Sequence, residues 1–401
     1  MIHNTCKRCL YTIDHPLGLV IDEEGICSGC RVHEEKDLLD WSERWQQLEQ
    51  LVKPYRISDK RQYDCIVPVT GGQDSYYIVH LVKERLGLNP LLVTYNKYWN
   101  TPLGIRNLAN LRIRFNCDIV IQNVNPISVK KVVKETLRSF GSLYWHCIAG
   151  QTVFPVQTAV RYKIPLIIWG AHQGLEQVGM FSHEHEVEMT RRYRKEHDLM
   201  GYEADDLITH FNTLTETDVW QYRYPDDQAL NDVGVRGIYL GNYVRWDPLA
   251  QHHKMIDMHD YKGANFARTF DRFDYVDCFN YMDLHDQIKQ SKCGYGKVLD
   301  HACREIRHGR LNRDEAVTLV ERYQVQTPKY GDLLFDWLGV NQRGFEFVTD
   351  LFAQNKPFDA KITPVGDELS LDWMTDGRDL TSLEMDRDRE YITIGKGLYN
   401  C

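Results

Sequence analysis

The chain has 401 residues, of which 43% are hydrophobic, and a formal net charge of −9. That length supplies core for more than one domain. The acidic balance, with no basic run longer than Arg191-Arg192-Tyr193-Arg194-Lys195, argues against a nucleic-acid binder working through a phosphate footprint. No apolar stretch approaches the roughly eighteen residues of a membrane span, and Met1-Ile2-His3-Asn4-Thr5 lacks the apolar core of a signal peptide. With eleven cysteines and no secretory signal, the expectation is a cytoplasmic protein with reduced thiols, some of them on metal.

The first element is a pair of knuckles, Cys6-Lys7-Arg8-Cys9 and Cys27-Ser28-Gly29-Cys30, separated by 17 residues. Two thiolates three positions apart in a turn can share one tetrahedral ion, and a second such turn completes a four-sulfur site with no open position. Cys6, Cys9, Cys27 and Cys30 are therefore read as ligands of a structural zinc, with an iron–sulfur cluster as the rival. Residues 13–22 between the knuckles read as a short hairpin segment, and residues 1–33 as one metal-dependent unit. The apolar positions Leu38, Leu39, Trp41, Trp45, Leu48 and Leu51 predict an amphipathic helix over 34–55, linking the knuckle to the next domain within residues 34–58. Its tryptophans are expected to pack rather than touch a ligand.

Residues 59–250 open with a buried strand over 64–69, followed by Thr70-Gly71-Gly72-Gln73-Asp74-Ser75 and a helix over 76–86. A strand, a glycine pair, hydroxyl side chains and a helix start make an anion site. Glycines admit an oxyanion close to the backbone, and the free N–H groups of the helix start point at it. Ser75 adds a hydroxyl, and Asp74 is placed to cap the helix or help hold a metal. Further strands are predicted at 90–96, 117–124 and 164–170, with helices at 103–115, 129–139 and 153–162. This alternation predicts a doubly wound parallel α/β sheet whose ligands lie beyond the carboxyl ends of the strands. Thr70 to Ser75, Asn96 and Gly170 to Gln173 should converge there, with Asn96 on an adenine edge or in plain turn chemistry.

Between Glu176 and Glu203 the chain is crowded with His183, His185, Glu186, Arg191, Arg192, Arg194 and His197, which read as a solvated loop, a lid or sugar clamp, or a metal site. Residues 251–401 are expected to be mainly helical and to complete the phosphate and sugar site. Their richest stretch is Lys292-Cys293-Gly294-Tyr295-Gly296-Lys297, leading into a helix with Lys297, Asp300, Arg304 and Arg307 on one stripe. That stripe is either a solvated face or a cationic wall for departing pyrophosphate, with Asp300 on a Mg²⁺.

The loop Thr70 to Ser75 is neither a Walker motif nor a dinucleotide fingerprint. It resembles the Ser-Gly-Gly-x-Asp-Ser loop of the ATP pyrophosphatases, with Thr70 in place of the first serine. Taken with the cysteine knuckles, Tyr239-Leu240-Gly241-Asn242-Tyr243-Val244-Arg245-Trp246, Lys292-Cys293-Gly294-Tyr295-Gly296, Asp300-His301, Glu305-Ile306-Arg307-His308-Gly309 and Arg313-Asp314-Glu315-Ala316, the chain resembles the N-acetyl sugar amidotransferases of surface-polysaccharide and nonulosonic acid biosynthesis, from about Cys6 to Lys356. The resemblance implies an adenine nucleotide alpha hydrolase-like sheet of the ATP pyrophosphatase type, with ATP and Mg²⁺. It implies conversion of a sugar's acetamido group to an acetamidino group. It assigns the four knuckle cysteines to metal, Gly71, Gly72, Asp74 and Ser75 to pyrophosphate, and Lys292 to phosphate. One departure is that Gly170-Ala171-His172-Gln173 stands where the family tends to carry Gly-Glu-Asn.

Asp74, Ser75, Lys292 and Asp300 are thus the catalytic expectation, and Thr70, Gly71, Gly72, Gln73, Asn96, Gly170, Lys297, Arg304 and Arg307 complete the nucleotide set. An amide oxygen is a poor leaving group, and adenylation turns it into a good one that ammonia can displace. No cysteine sits in the sharp glycine-flanked turn of a glutaminase nucleophile, so ammonia is expected from a separate glutaminase subunit. The alternative is a tRNA thiolation enzyme adenylating a base oxygen. It needs a sulfur-handling cysteine pair, whereas Cys65, Cys117, Cys147, Cys278, Cys293 and Cys303 stand apart in the sequence.

Overall fold

The computed structural model describes residues 4–59, 61–353 and 369–378, with Leu380 and Leu383. Its centre is a five-stranded, wholly parallel sheet: β1 Cys65–Pro68, β2 Pro90–Tyr95, β3 Ile119–Gln122, β4 Leu166–Trp169 and β5 Arg236–Tyr239, in the order β3-β2-β1-β4-β5. Val67 lies beside Leu92, and Ile66 beside Ile167. The chain winds outward from β1 to β3, then returns across the sheet to β4 and β5. The point where its direction reverses therefore falls between β1 and β4, and a crevice opens beyond their carboxyl ends. The doubly wound parallel fold expected from the sequence is the fold observed.

Strands β1, β2 and β4 are apolar on both faces because helices cover both sides, while β3 is half-buried at one edge. The strand β5 is an element that the apolar pattern does not announce. It is four residues long, begins with an arginine and contains Gly237, where a side chain would press into Met189. Its outer side is covered by the His-rich stretch, through the antiparallel bridge Glu188 to Ile238 and the Arg236–Glu188 ion pair.

Helix limits shift where local chemistry intervenes. The loop helix runs from Gln73 to Val79 and continues as a π-helical turn over His80–Arg85. The helix expected over 153–162 begins at Trp145, carries Pro155 inside it, and lets β2 approach so closely that a Cβ on Gly150 would strike the Tyr95 ring. The helix expected over 34–55 is broken. A first helix, Ser28–Glu35, leaves the second knuckle, and a second, Trp41–Val52, begins where Asp40 accepts from Ser42 N and Glu43 N. Leu38 in the break is exposed, while Lys36 turns inward to Glu176. Trp41 donates to Lys36 O and Trp45 lies under Arg85, so both tryptophans pack between elements.

Beyond β5 the described residues are mainly helical, with Pro248–His259, Leu284–Cys293, Lys297–Arg307, Arg313–Gln324, Gly331–Leu338, Gln342–Leu351 and the short Asp372–Thr375, while residues 260–283 run without a helix. The knuckle docks on this region. Arg313 donates to Cys6 O and Cys9 O, and Leu10 N approaches Cys303 Sγ at 3.3 Å. No described helix is long and apolar enough to cross a membrane.

Candidate functional site

The four knuckle cysteines converge as expected. All four Sγ atoms lie within 4.8 Å of one another, with Cys9 to Cys27 at 3.5 Å and Cys6 to Cys30 at 4.0 Å. A zinc with sulfur at ~2.3 Å in a tetrahedron needs sulfur pairs about 3.8 Å apart, so the cluster fits that ion. Cys27 Sγ also lies 3.8 Å from the Arg307 guanidinium, a cation beside a thiolate set.

At the end of β1 the loop organises itself. Thr70 N donates to Ser75 Oγ at 2.8 Å, and Gly72 N donates to Thr70 Oγ1 at 2.9 Å. Ser75 therefore uses its oxygen as an acceptor and keeps its O–H proton for an incoming oxyanion. Thr70 supplies its hydroxyl to the loop itself. Gly71 packs against the helix Pro102–Arg114 so tightly that a Cβ there would lie 2.1 Å from Gly104 O. The first turn of the loop helix has no side-chain cap, which leaves its N–H groups for a ligand.

Two cavities meet at this loop. The first, of about 270 Å³, lies beyond the carboxyl ends of β2, β1 and β4 and is lined by Thr70, Gly72, Ser75, Lys97, Gln151 and Gly170 among others. The second, of about 200 Å³, is lined by Tyr11, Ala171, Glu176, Lys297, Asp300, Arg304 and Arg307 among others. Gln73, Asp74 and Tyr275 line both and form the shared wall. Gln73 is anchored across that wall, its amide donating to Asp274 and accepting from Tyr275 N. Asp74 is half-buried; burial first, then the neighbouring Asp274, push its carboxyl up to about 7.

The stripe of the helix Lys297–Arg307 faces the second cavity rather than solvent, and its members are not equivalent. Arg304 is held by Asp271 and Glu305. Arg307 donates to Glu176 O at 3.0 Å and Gln177 O at 2.7 Å. Asp300 accepts from Tyr11 Oη and Gln177 Nε2 and pairs with Lys289. Against the upward push of burial, Lys289 and Lys297 hold its carboxyl below the usual carboxylate range. Those partners tie Asp300 to the knuckle. Lys297 Nζ donates to no carboxylate among the described residues; it donates to Tyr281 Oη at 2.7 Å and lies over that ring.

Two expected residues lie elsewhere. Lys292 Nζ donates to Phe140 O at 2.8 Å, closing the end of the helix Pro126–Phe140, and it lines neither cavity. The left-handed turn at Gly294 ends its helix and separates it from Lys297, the lysine that does line the cavity. Asn96 is spent on turn chemistry: its amide donates to Asn123 Oδ1 and accepts from Tyr98 N and Asn100 Nδ2. The His-rich stretch is likewise neither lid nor metal centre among the described residues. His183 N donates to Glu35 Oε2 and Arg44 donates to His183 O, fastening it to the linking helices.

Several residues that sequence reasoning passed over stand in these walls. Lys97, two positions beyond β2, forms a 2.6 Å ion pair with Asp277. Its only sequence signal is a lysine at the carboxyl end of a buried strand. Asp274 stands with Asp271 and His301, the three ligand atoms lying within 4.8 Å of one another, and pairs with His301 at 3.1 Å. Glu176 supplies a carboxylate six residues after Gly170, where Ala171-His172-Gln173 carries none. Its Oε2 pairs with Lys36 Nζ at 2.5 Å, while Oε1 is buried with no hydrogen-bond partner among the described residues. Glu176 is brought there by a short helix, Gln173–Glu176, whose start His172 caps by accepting from Gly174 N at 3.0 Å.

Residues 267–365, the stretch that builds most of the second cavity's far wall, match the family described as LPS biosynthesis protein WbpG-like, C-terminal domain. The match supports the resemblance to the N-acetyl sugar amidotransferases. The chain is also similar to the uncharacterized protein MJ1599 of Methanocaldococcus jannaschii, 25% identical over 121 residues, which is 29% of this chain and 42% of that protein; the match spans less than half of the relative's length. A superposition relates 49% of this chain to 92% of the NH3-dependent NAD synthetase of Campylobacter jejuni in complex with nitrate, at 12% identity and a TM-score of 0.29.

Proposed function

We propose that this chain is an ATP-dependent amidotransferase that converts the acetamido group of an N-acetyl sugar into an acetamidino group, with AMP and pyrophosphate as products. The observation that carries the reading is the pair of cavities sharing one wall at Gln73, Asp74 and Tyr275, at the end of a phosphate-type loop in a chain with a WbpG-like domain. The reaction needs a nucleotide and an amide oxygen to meet at one phosphorus atom.

ATP seats beyond the strands, its phosphates received by the loop N–H groups and the Ser75 hydroxyl. The sugar lies in the second cavity, under Tyr11 and Glu176, with its amide oxygen at the shared wall. That oxygen attacks the α-phosphorus, the bond to pyrophosphate breaks, and an adenylated imidate forms. Lys297, with no carboxylate partner among the described residues, offsets the charge that gathers on the leaving pyrophosphate. Asp74 and Asp274, which line the second cavity, would hold a Mg²⁺, and it would supply positive charge to the phosphates. Ammonia adds to the imidate carbon, AMP departs with the former amide oxygen, and loss of a proton leaves the amidine. The unpaired Oε1 of Glu176 is placed to accept a hydrogen bond from the sugar or the incoming nitrogen. A partner glutaminase supplies the ammonia in this reading, since no cysteine among the described residues stands in a nucleophile turn.

The test is incubation of the full chain with ATP, Mg²⁺, an ammonium salt and a panel of N-acetyl sugars, free and nucleotide-linked. The expected product is lighter than its sugar by the difference between an oxygen atom and an N–H group, formed together with AMP. Glutamine in place of ammonium gives no product in the absence of the partner. Release of ADP, or no mass change on any sugar, contradicts the reading.

A further inference from the structure

Lys97 and Asp277 form the most deeply buried ion pair at either cavity: their side chains are 1% and 2% exposed, and Nζ lies 2.6 Å from Oδ2. Both line the nucleotide cavity with Thr70, Gly72 and Ser75. Asp277 stands directly over the loop. A Cβ on Gly72 would lie 3.2 Å from Asp277 Oδ1, and one on Gly104, against which Gly71 packs, would meet Asp277 Cα at 2.3 Å. Next to a loop built to receive oxyanions, a bare carboxylate would repel them. A pair of apolar side chains would seal the wall at no loss of stability, since burying two charges costs about what their attraction returns. Lys97 therefore does something that packing does not require. Its ammonium is kept charged by Asp277, against the contrary effect of burial, and by the rings of Tyr144 and Tyr275 at 6.0 and 5.9 Å.

We propose that Lys97 is a phosphate-contacting residue of the nucleotide site, and that Asp277 is its positioning residue, holding the ammonium beside the loop until a triphosphate arrives. The contact resides in the polyphosphate, so it separates ATP and pyrophosphate from adenosine. This rests on the reading that the loop binds ATP, but not on the identity of the acceptor.

The test measures binding by calorimetry on the full chain, without sugar or ammonium, so that a failure here leaves the sugar chemistry untouched. Lys97→Met is expected to weaken ATP and pyrophosphate by at least about tenfold, the usual worth of one charge-assisted bond, with adenosine within about twofold. Asp277→Asn, which takes away the partner that keeps the ammonium charged and in place, is expected to weaken pyrophosphate as well, with adenosine within about twofold. Should Lys97→Met fail to fold because it strands Asp277, the double variant Lys97→Met/Asp277→Asn removes both charges and is expected to fold, yet to bind pyrophosphate more weakly than the native chain. Unchanged pyrophosphate binding in the variants that fold, or a parallel fall in adenosine binding, overturns the proposal.

Discussion

The two cavities that meet at Asp74 are built in opposite ways. The nucleotide cavity is made mainly from the ends of neighbouring strands and one continuous loop, Thr70 to Ser75, whose own hydrogen bonds set its shape, with Tyr275 and Asp277 closing one side. The second cavity is assembled from the knuckle, the segment after β4 and the helix Lys297–Arg307, and long-range contacts such as Tyr11 to Asp300 hold it. The first thus rests mainly on its own sheet, whereas the second depends throughout on distant parts of the chain staying docked. Damage to one should leave a signature that damage to the other does not.

The largest effect is expected in the loop. Gly71→Ala drives a Cβ into Gly104 O, and Ser75→Ala removes the hydroxyl that faces the phosphates. Each should slow sugar-dependent AMP formation by about 10²–10³-fold, with Ser75→Ala keeping the native circular dichroism. Equal losses in ATP binding and turnover would match a damaged nucleotide cavity; near-native turnover in Ser75→Ala would remove the hydroxyl from the account.

Metal removal should separate the cavities. Metal analysis is expected to return about one zinc per chain. Stripping it, or substituting Cys27→Ser, frees the knuckle from Arg307 and Arg313 and with it Tyr11. Sugar-dependent turnover should fall about a hundredfold while ATP affinity changes little. A parallel loss of ATP affinity would break the distinction between the two regions, and iron with visible absorbance would overturn the zinc assignment.

What the sequence displayed follows the same division. The parallel sheet, the loop and the four-cysteine cluster are local patterns, carried by apolar runs, glycine pairs and fixed cysteine spacing, and all were legible. The helix stripe Lys297, Asp300, Arg304 and Arg307 was visible as a periodicity, but several partners, such as Tyr11, Glu176, Gln177 and Asp271, come from other elements, so the separate fates of its members were not. Lys292 and Lys297 are both lysines in one glycine-rich segment. Only the left-handed turn at Gly294 decides that one closes a helix end and the other faces the cavity. Glu176 was hidden because a six-residue detour, capped by His172, carries it to the cavity wall.

Those two lysines give the next test. Lys297→Met should lower turnover ten- to a hundredfold, about 1.5–3 kcal/mol of lost charge stabilisation. Lys292→Met should leave turnover within about threefold and cost about 1 kcal/mol in denaturant unfolding, the worth of its bond to Phe140 O. The reverse pattern would restore Lys292 to the phosphate site.

The smallest effect is a pH-dependent one. Asp74 is raised from 3.8 to about 7, with burial and Asp274, Glu176 and Asp271 pushing it up against Arg304. Between about pH 4 and pH 7 the folded chain holds a proton that the unfolded chain has lost, so stability falls as pH rises through that window and levels off above it. Asp74→Asn lacks this loss. It should be more stable than the native chain above pH 7 by roughly 1–3 kcal/mol, with the gap closing as pH falls toward about 4. A gap independent of pH would show that Asp74 is not strained by its neighbours.

The central claim, that the amide oxygen of the sugar attacks the α-phosphorus at the shared wall, has one direct measurement. An N-acetyl sugar substrate carrying heavy oxygen in its acetamido carbonyl is turned over with ATP and ammonium, and the nucleotide products are read by mass spectrometry. The label is predicted in AMP, one atom in each molecule, with pyrophosphate unlabelled. Label in water or inorganic phosphate, or AMP without label while amidine forms, would contradict it.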